Sequence, residues 1–431
     1  MGRSGTRGRA PVSPARPARV LFVHTGVDWI RGSERCLLDL VGGLDRRRFD
    51  PVVWCDTPTL AAEARALGAE VEMGDPSWGA AANSLLPPRP LVREAEALLR
   101  RHDVRVVHAN NPVPLKWMLP AARAARIPTL LHVHLPTTQD ERVFNGAHQA
   151  AMVVGVSRSA VRGFLDDGMA ASRVSVIYNG VDPKRLSAGD ETGLRAAFGI
   201  APDDVVIAAV GSLIARKGVD TLLRAFALLR RREPKVRLLI VGDGEERAGL
   251  ERLACSLGLD GAVDFLGERR DAGAILRDAA DIAASAAREE AFPLNLLEAA
   301  LFGLPVAASA IPPHHESIVV GETGLLAPPE DPAAFAAILE TLVVDRALRR
   351  RIGEAGRARI EREFLASRYV ASFEAAYESL LERPRGSYGW LRGTTFPRAY
   401  WGWIGGAVAR KVARYLRAQR GLLAGTAGAG C

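Results

Sequence analysis

A chain of 431 residues is long enough for two domains with separate cores, and 48% hydrophobic with 25% charged residues is the balance of a soluble globular protein. The formal charge of +8 sits in the ends: residues 1–19 carry five arginines and no acid, and residues 385–431 carry seven arginines, one lysine and no acid. The body between them is mildly acidic, which argues against a nucleic-acid-binding surface.

The four cysteines, Cys36, Cys55, Cys255 and Cys431, are isolated in sequence, so a reduced, cytoplasmic setting is expected. No run reaches the roughly 18 apolar residues of a membrane span, and the first residues lack the apolar core of a signal peptide. Residues 1–19, rich in arginine and proline, read as disordered.

From Val20 onward, short β-type runs alternate with helical ones: VLFVH, VVWC, EVE, VRVVHA, TLLHVH, MVVGVS and RVSVIY, with helices near 33, 59–67, 91–101 and 114–126. Such alternation predicts right-handed βαβ units and a parallel sheet. Ligands of such sheets bind beyond the carboxyl ends of the strands, where His108, Asn110 and His134 fall. Between the first strand and a helix near Ser33 runs TGVDWIRGS, a glycine-bearing loop before a helix N-terminus, and Gly32 is the phosphate-binding candidate there. Asn179-Gly180 and Asp182-Pro183 form a turn signal, read as architecture. The polar stretch 183–203 reads as a linker.

The second half opens on VVIAAVG, followed by a loop with Arg216 and Lys217 and a helix over 219–232. Two cations beside a helix N-terminus suit a diphosphate. RLLIVGDG supplies Gly242 and Gly244 but not the full dinucleotide spacing, which disfavours a nicotinamide enzyme. The stretch SAAREEAFPLNLLEAALFGLPVAAS then places Glu290 before a helix that starts near Leu294, behind Pro293, and Glu298 one turn inside it. A carboxylate within an apolar helix is costly without partners. The two glutamates therefore suit the hydroxyls of a ligand whose anionic end meets the free helix amides. His314 and His315 project apart and read as loop surface rather than metal ligands. A helix begins near Pro332, breaks at 361–363 and resumes over 364–382.

The eight-residue spacing of Glu290 and Glu298 resembles the E-x7-E signature of retaining GT-B glycosyltransferases, specifically glycosyltransferase family 4. IYNGVD, Lys217-Gly218, the Gly242/Gly244 pair and Glu316 resemble further family motifs in the same order, over roughly residues 20–382. The resemblance implies an α/β GT-B fold: two Rossmann-like, doubly wound domains facing across a cleft. Residues 20–182 would form the acceptor-side domain, 204–363 the nucleotide-sugar domain, and 364–384 a helix returning to the first. It implies catalytic roles for His134 (His132 being the other register), Glu290 and Lys217. Donor contacts fall to Gly32, Arg216, Lys217, Gly244, Phe292, Pro293, Leu294 and Glu298, the last holding the ribose. Where the family carries an arginine before the lysine, this chain has Ser212, so Arg216 is the substitute cation. The first glycine of the family's Gly-Gly-x-Glu is also missing before Ser33-Glu34.

The expected activity is retaining, metal-independent transfer of a sugar from a nucleotide-sugar donor to an acceptor hydroxyl, without a cofactor. The product class is cell-surface polysaccharide, glycolipid or glycosylated metabolite. A nucleotide-sugar epimerase of the same fold and a non-catalytic assembly scaffold are the alternatives. In residues 385–431, Ile404, Val408, Val412, Tyr415 and Leu416 fall on one helical arc and Arg410, Arg414, Arg417 and Arg420 on the other, flanked by Trp401 and Trp403. That pattern predicts an interfacial helix on an anionic membrane surface, and with it a peripheral enzyme on the inner face of the membrane; a helix docked on the protein itself or on a partner is the alternative reading.

Overall fold

The computed structural model describes residues 16–74, 78, 87–186, 193–383 and 405–406. Among the described residues, thirteen strands form two sheets. In the first, β1 (Ala18–His24), β2 (Phe49–Cys55), β3 (Glu70–Met73), β4 (Val104–Ala109), β5 (Thr129–Val133), β6 (Met152–Gly155) and β7 (Val174–Val176) take the order β3-β2-β1-β4-β5-β6-β7. In the second, β8 (Val205–Val210), β9 (Val236–Val241), β10 (Val263–Gly267), β11 (Ile282–Ser285), β12 (Val306–Ser309) and β13 (Gly324–Ala327) take the order β10-β9-β8-β11-β12-β13. The pairs are parallel, with Phe22 beside Val53 and His108, and Ala283 beside Val306 and Ala208. Both orders reverse direction from a central first strand, the doubly wound pattern. The strands read as continuous apolar runs because helices cover both faces of such sheets.

The described residues pack as two compact units, one comprising residues up to Leu131, Asn145–Met152 and the chain from Glu374, the other His132–Phe144 and Val153–Phe373. In the first, Trp54, Trp78 and Trp117 are fully buried, with ring centroids 4.7 and 5.1 Å apart along the series. In the second, Ile207, Leu222, Phe226, Leu238 and Phe335 anchor the core.

Several boundaries differ from those expected. The first strand begins at Ala18, inside the stretch read as disordered, because Arg19 finds Asp50 at 3.1 Å and Glu70 at 2.9 Å. The stretch 183–203 contains the short helices Pro183–Leu186 and Leu194–Ala197. Arg195 of the latter holds Asp281 at 3.1 Å and the Asp204 carbonyl at 2.6 Å. The helix from Pro332 stops at Val344, where Asp345 caps a separate helix, Arg346–Glu363, by accepting from the Leu348 amide. The later break falls at Phe364–Leu365, not at 361–363. There Val181 donates to the Phe364 carbonyl and accepts from the Ala366 amide, pairing that replaces helical bonds. A side chain at Gly180 would run into the Leu365 backbone, which is why a glycine stands in that turn. Apart from residues 405–406, the 385–431 tail lies outside the described residues, as do residues 1–15.

Close helix contact positions the Leu294–Leu301 helix that carries Glu298. Gly353 of the Arg346–Glu363 helix lies against the backbone of Gly303, where an added methyl would collide with the Gly303 carbonyl. Gly353→Ala is therefore expected to lower stability by about 1–3 kcal/mol, the usual cost of overpacking. A urea midpoint unchanged from the parent chain would contradict this packing.

Candidate active site

The site in the second unit grows from the carboxyl ends of β8 and β11. After Val210 the chain turns through Gly211 (φ 151°) into a single helical turn, Ala215–Lys217, and enters the helix Val219–Arg230 at Gly218 (φ 61°). Glycine is required at 218 twice over, by its positive φ and because a side chain would strike the Ala286 carbonyl. Arg288 clamps this loop. Its backbone amide donates to the Arg216 carbonyl at 2.8 Å, and its guanidinium donates to the Ala215 carbonyl at 2.7 Å and both Asp220 oxygens at 2.8 Å. It also meets Glu330 at 2.9 Å. The hydrogen bonds from Arg288 hold the Asp220 carboxyl below the usual carboxylate range against the opposing effect of burial. The sequence reading missed Arg288, whose only signal was an arginine two residues before Glu290.

The clamp sets Lys217 and Arg216 against Glu290. Glu290 is only 9% exposed, and its carboxylate ion-pairs with the Lys217 ammonium. Arg216 Nη1 lies 3.7 Å from its other oxygen, which also accepts from the Ala291 amide at 3.1 Å. A carboxylate this buried is retained only with such partners. Pro293 caps the helix Leu294–Leu301, and Asn295 in its first turn donates to the Val210 carbonyl at 2.7 Å, fastening the helix start to the end of β8. Phe292 is buried against Tyr178, their rings stacked at 5.2 Å. Glu298 lies on the same helix, half-buried, with Arg185 at 3.2 Å. Gly244 adjoins the same loop, where a side chain would strike the Leu213 carbonyl.

His314 departs from expectation. It is fully buried in the short helix Pro312–Ser317, not on a loop surface. Its Nδ1 lies 2.7 Å from the Ser309 carbonyl, and burial pushes its pKa down to about 4, so the ring is neutral near pH 7. Pro313, His314 and Ser317 are buried while Pro312 and His315 are exposed, so the short helix turns one side inward, which the adjacency of the two histidines did not reveal.

Gly32 lies in the other unit, exposed at the start of the helix Gly32–Gly43. Beneath it Glu34 is buried, 3.1 Å from His24 Nε2 and accepting from the Arg31 amide at 3.0 Å. Burial opposes ionisation of Glu34, but hydrogen bonding and charge attraction from His24 prevail and bring its pKa to about 2. Asn110 completes the group, 3.0 Å from His24 Nδ1. His134 stands half-buried just beyond β5, its ring 4.0 Å from that of His132. His132 itself is fully buried against Phe373, so of the two only His134 is partly open to a ligand. Thus Arg216, Lys217, Glu290 and Phe292–Leu294 form one constellation, with Glu298 and Gly244 flanking it.

Two family models match this chain, Glycosyltransferase Family 4 over residues 30–185 and Glycosyl transferases group 1 over residues 190–359. The chain belongs to the GT-B glycosyltransferases of family 4. It is 34% identical to the D-inositol 3-phosphate glycosyltransferase of Nocardia farcinica over 61% of this chain, spanning 56% of that relative's length. It is 27% identical to the N-acetyl-alpha-D-glucosaminyl L-malate synthase of Bacillus anthracis over 68% of this chain and 79% of that protein. Among solved structures, Anabaena HepE in complex with UDP-glucose is similar, with a TM-score of 0.70 and 26% identity over 84% of this chain and 99% of that one.

Two outcomes follow from this geometry. Glu34→Gln should remove a stabilising contribution that is fully present above about pH 4.5 and lost as pH falls toward 2, because the folded-state pKa is depressed. The difference in melting temperature between the two proteins should therefore shrink as pH falls from 6 to 3, and a constant difference would contradict it. Arg288→Met should loosen the Arg216–Lys217 loop, read as faster backbone amide exchange over residues 215–218. Unchanged exchange there would show that the clamp does not position the loop.

Proposed function

We propose that this glycosyltransferase moves a sugar from a nucleotide-sugar donor, with UDP as the nucleotide, to an acceptor hydroxyl with retention at the anomeric carbon and without a resident metal. The observation that carries the proposal is the buried Glu290 carboxylate paired with Lys217, with Arg216 alongside, at the mouth of the helix Leu294–Leu301. The UDP-glucose complex of Anabaena HepE supports the choice of donor.

On donor binding, the diphosphate draws Lys217 and Arg216, whose cations offset the charge that develops on the leaving group. Glu290 then accepts from hydroxyls of the sugar, and the backbone of Phe292, Pro293 and Leu294 closes on it. Glu298, steadied by Arg185, accepts from the ribose hydroxyls. His134 is assigned to the reacting face of the sugar, and Gly244 lets backbone approach the donor nucleotide. The two glutamates do not act as the acid–base pair of a glycosidase.

No helix among the described residues is long and apolar enough to cross a membrane. The proposed setting is the cytoplasmic membrane face, reached through the basic 385–431 tail. Flotation with anionic liposomes should follow the intact chain and be lost on removing that tail.

A thermal-shift series with UDP-, GDP- and ADP-sugars tests the donor. A rise in melting temperature is expected with the UDP series and should disappear in Lys217→Met and Glu290→Gln. Lys217→Met should also lower kcat/KM by roughly 10²–10³. Glu298→Gln should weaken donor binding about tenfold. Turnover insensitive to chelator and a product with the donor's anomeric configuration by NMR complete the test; an inverted product would refute retention.

A further inference from the structure

A cavity lies in the first unit, at the end of the sheet where β4 starts and β5 is entered, opposite the strand ends that carry His108 and Asn110. Its volume is about 310 Å3, at the lower end of the range of small-ligand sites. Four arginines line it: Arg100, Arg105, Arg126 and Arg383. The floor is apolar, with Leu99, Leu380 and the half-buried Ile127, and Asp103 is the one acid on the wall.

These arginines differ from their neighbours. Nearby Arg101 has Glu72 at 2.9 Å, Arg19 has Asp50 and Glu70, and Arg48 has Glu374 at 2.6 Å. Among the described residues, none of the four lining guanidiniums has a carboxylate partner. Arg105 is the one exposed residue of β4, whose other five positions are buried. A competing explanation is that the cations offset helix dipoles. The helices Arg89–Arg101, Leu115–Ala124 and Ala366–Glu382 all end on this side of the sheet. At roughly half a negative charge per helix end, three ends offset about half of the net side-chain charge. A positive excess is left over an apolar floor.

We propose that this cavity is a binding site for a phosphate-bearing anion, distinct from the donor site. Guanidiniums bind phosphate oxygens in forked pairs, and the apolar floor takes the uncharged part of the ligand. The phosphate could be carried by a free solute or by a lipid headgroup, and one experiment separates the two sources.

The experiment uses the full chain with Lys217→Met, which disables the proposed donor contact, and the same chain with Arg105→Gln and Arg126→Gln added. Both arginines are exposed, so the fold should tolerate the changes; equal melting temperatures without ligand check this. Inorganic phosphate and pyrophosphate are titrated by calorimetry, and vesicles of phosphatidylglycerol or of phosphatidylcholine are tested by co-sedimentation. Binding of at least one phosphate-bearing probe, weakened tenfold or more by the arginine changes, is expected. If the phosphates bind and the response to phosphatidylglycerol is unaffected by the changes, the ligand is a free anion. If only phosphatidylglycerol binds and the changes release it, the ligand is a lipid headgroup. No binding by any probe, or binding indifferent to Arg105 and Arg126, overturns the proposal. Neither result bears on Glu290, so the donor assignment stands or falls separately.

Discussion

The interaction on which the second unit's site depends is the ion pair of Lys217 with a nearly buried Glu290. Desolvating a carboxylate is expensive, and the cost is met only because Lys217 and Arg216 arrive from a different strand end and the Ala291 amide adds a hydrogen bond. The pair therefore requires two loops, after β8 and after β11, to be held in fixed register. Arg288 and Gly218 do that holding, one by bridging the loops and the other by leaving room for backbone to touch backbone. An ion pair so built is also a device. In the proposed reaction an incoming diphosphate would compete for the two cations and free the carboxylate to accept from sugar hydroxyls.

Glycines do similar work elsewhere. Gly180, Gly244 and Gly353 each occupy a place where a methyl group would meet a neighbouring carbonyl group or backbone atom. Family resemblance had pointed to Gly244 as a nucleotide contact, whereas the packing gives it a second reason to be glycine, the approach of the Leu213 carbonyl. A glycine in a binding motif thus serves the scaffold even before a ligand arrives.

Charge in this protein is local. The first unit contains a tightly paired buried group, His24 with Glu34 beside Asn110, at one end of its sheet. At the other end lie four arginines without carboxylate partners among the described residues. The overall charge describes neither. Paired ions fix structure, since each satisfies the other, whereas unpaired cations over an apolar floor leave attraction for something outside the chain.

The strand and helix alternation, the two-sheet α/β architecture, the start of the helix behind Pro293 and the family were legible in the amino-acid order, because they depend on local periodicity and short motifs. Glu290, Lys217 and the Phe292–Leu294 stretch could be singled out in the same way. What the order of residues did not disclose was partnership. Arg288 reaching Asp220, Arg185 reaching Glu298, His314 turned into the core and the break at Phe364–Leu365 all join residues far apart in the chain, or depend on which way a short helix faces. Side-chain periodicity carries no information on such pairs. They arise only when the parallel crossovers bring distant strand ends together and the cost of burying each polar group selects its partner.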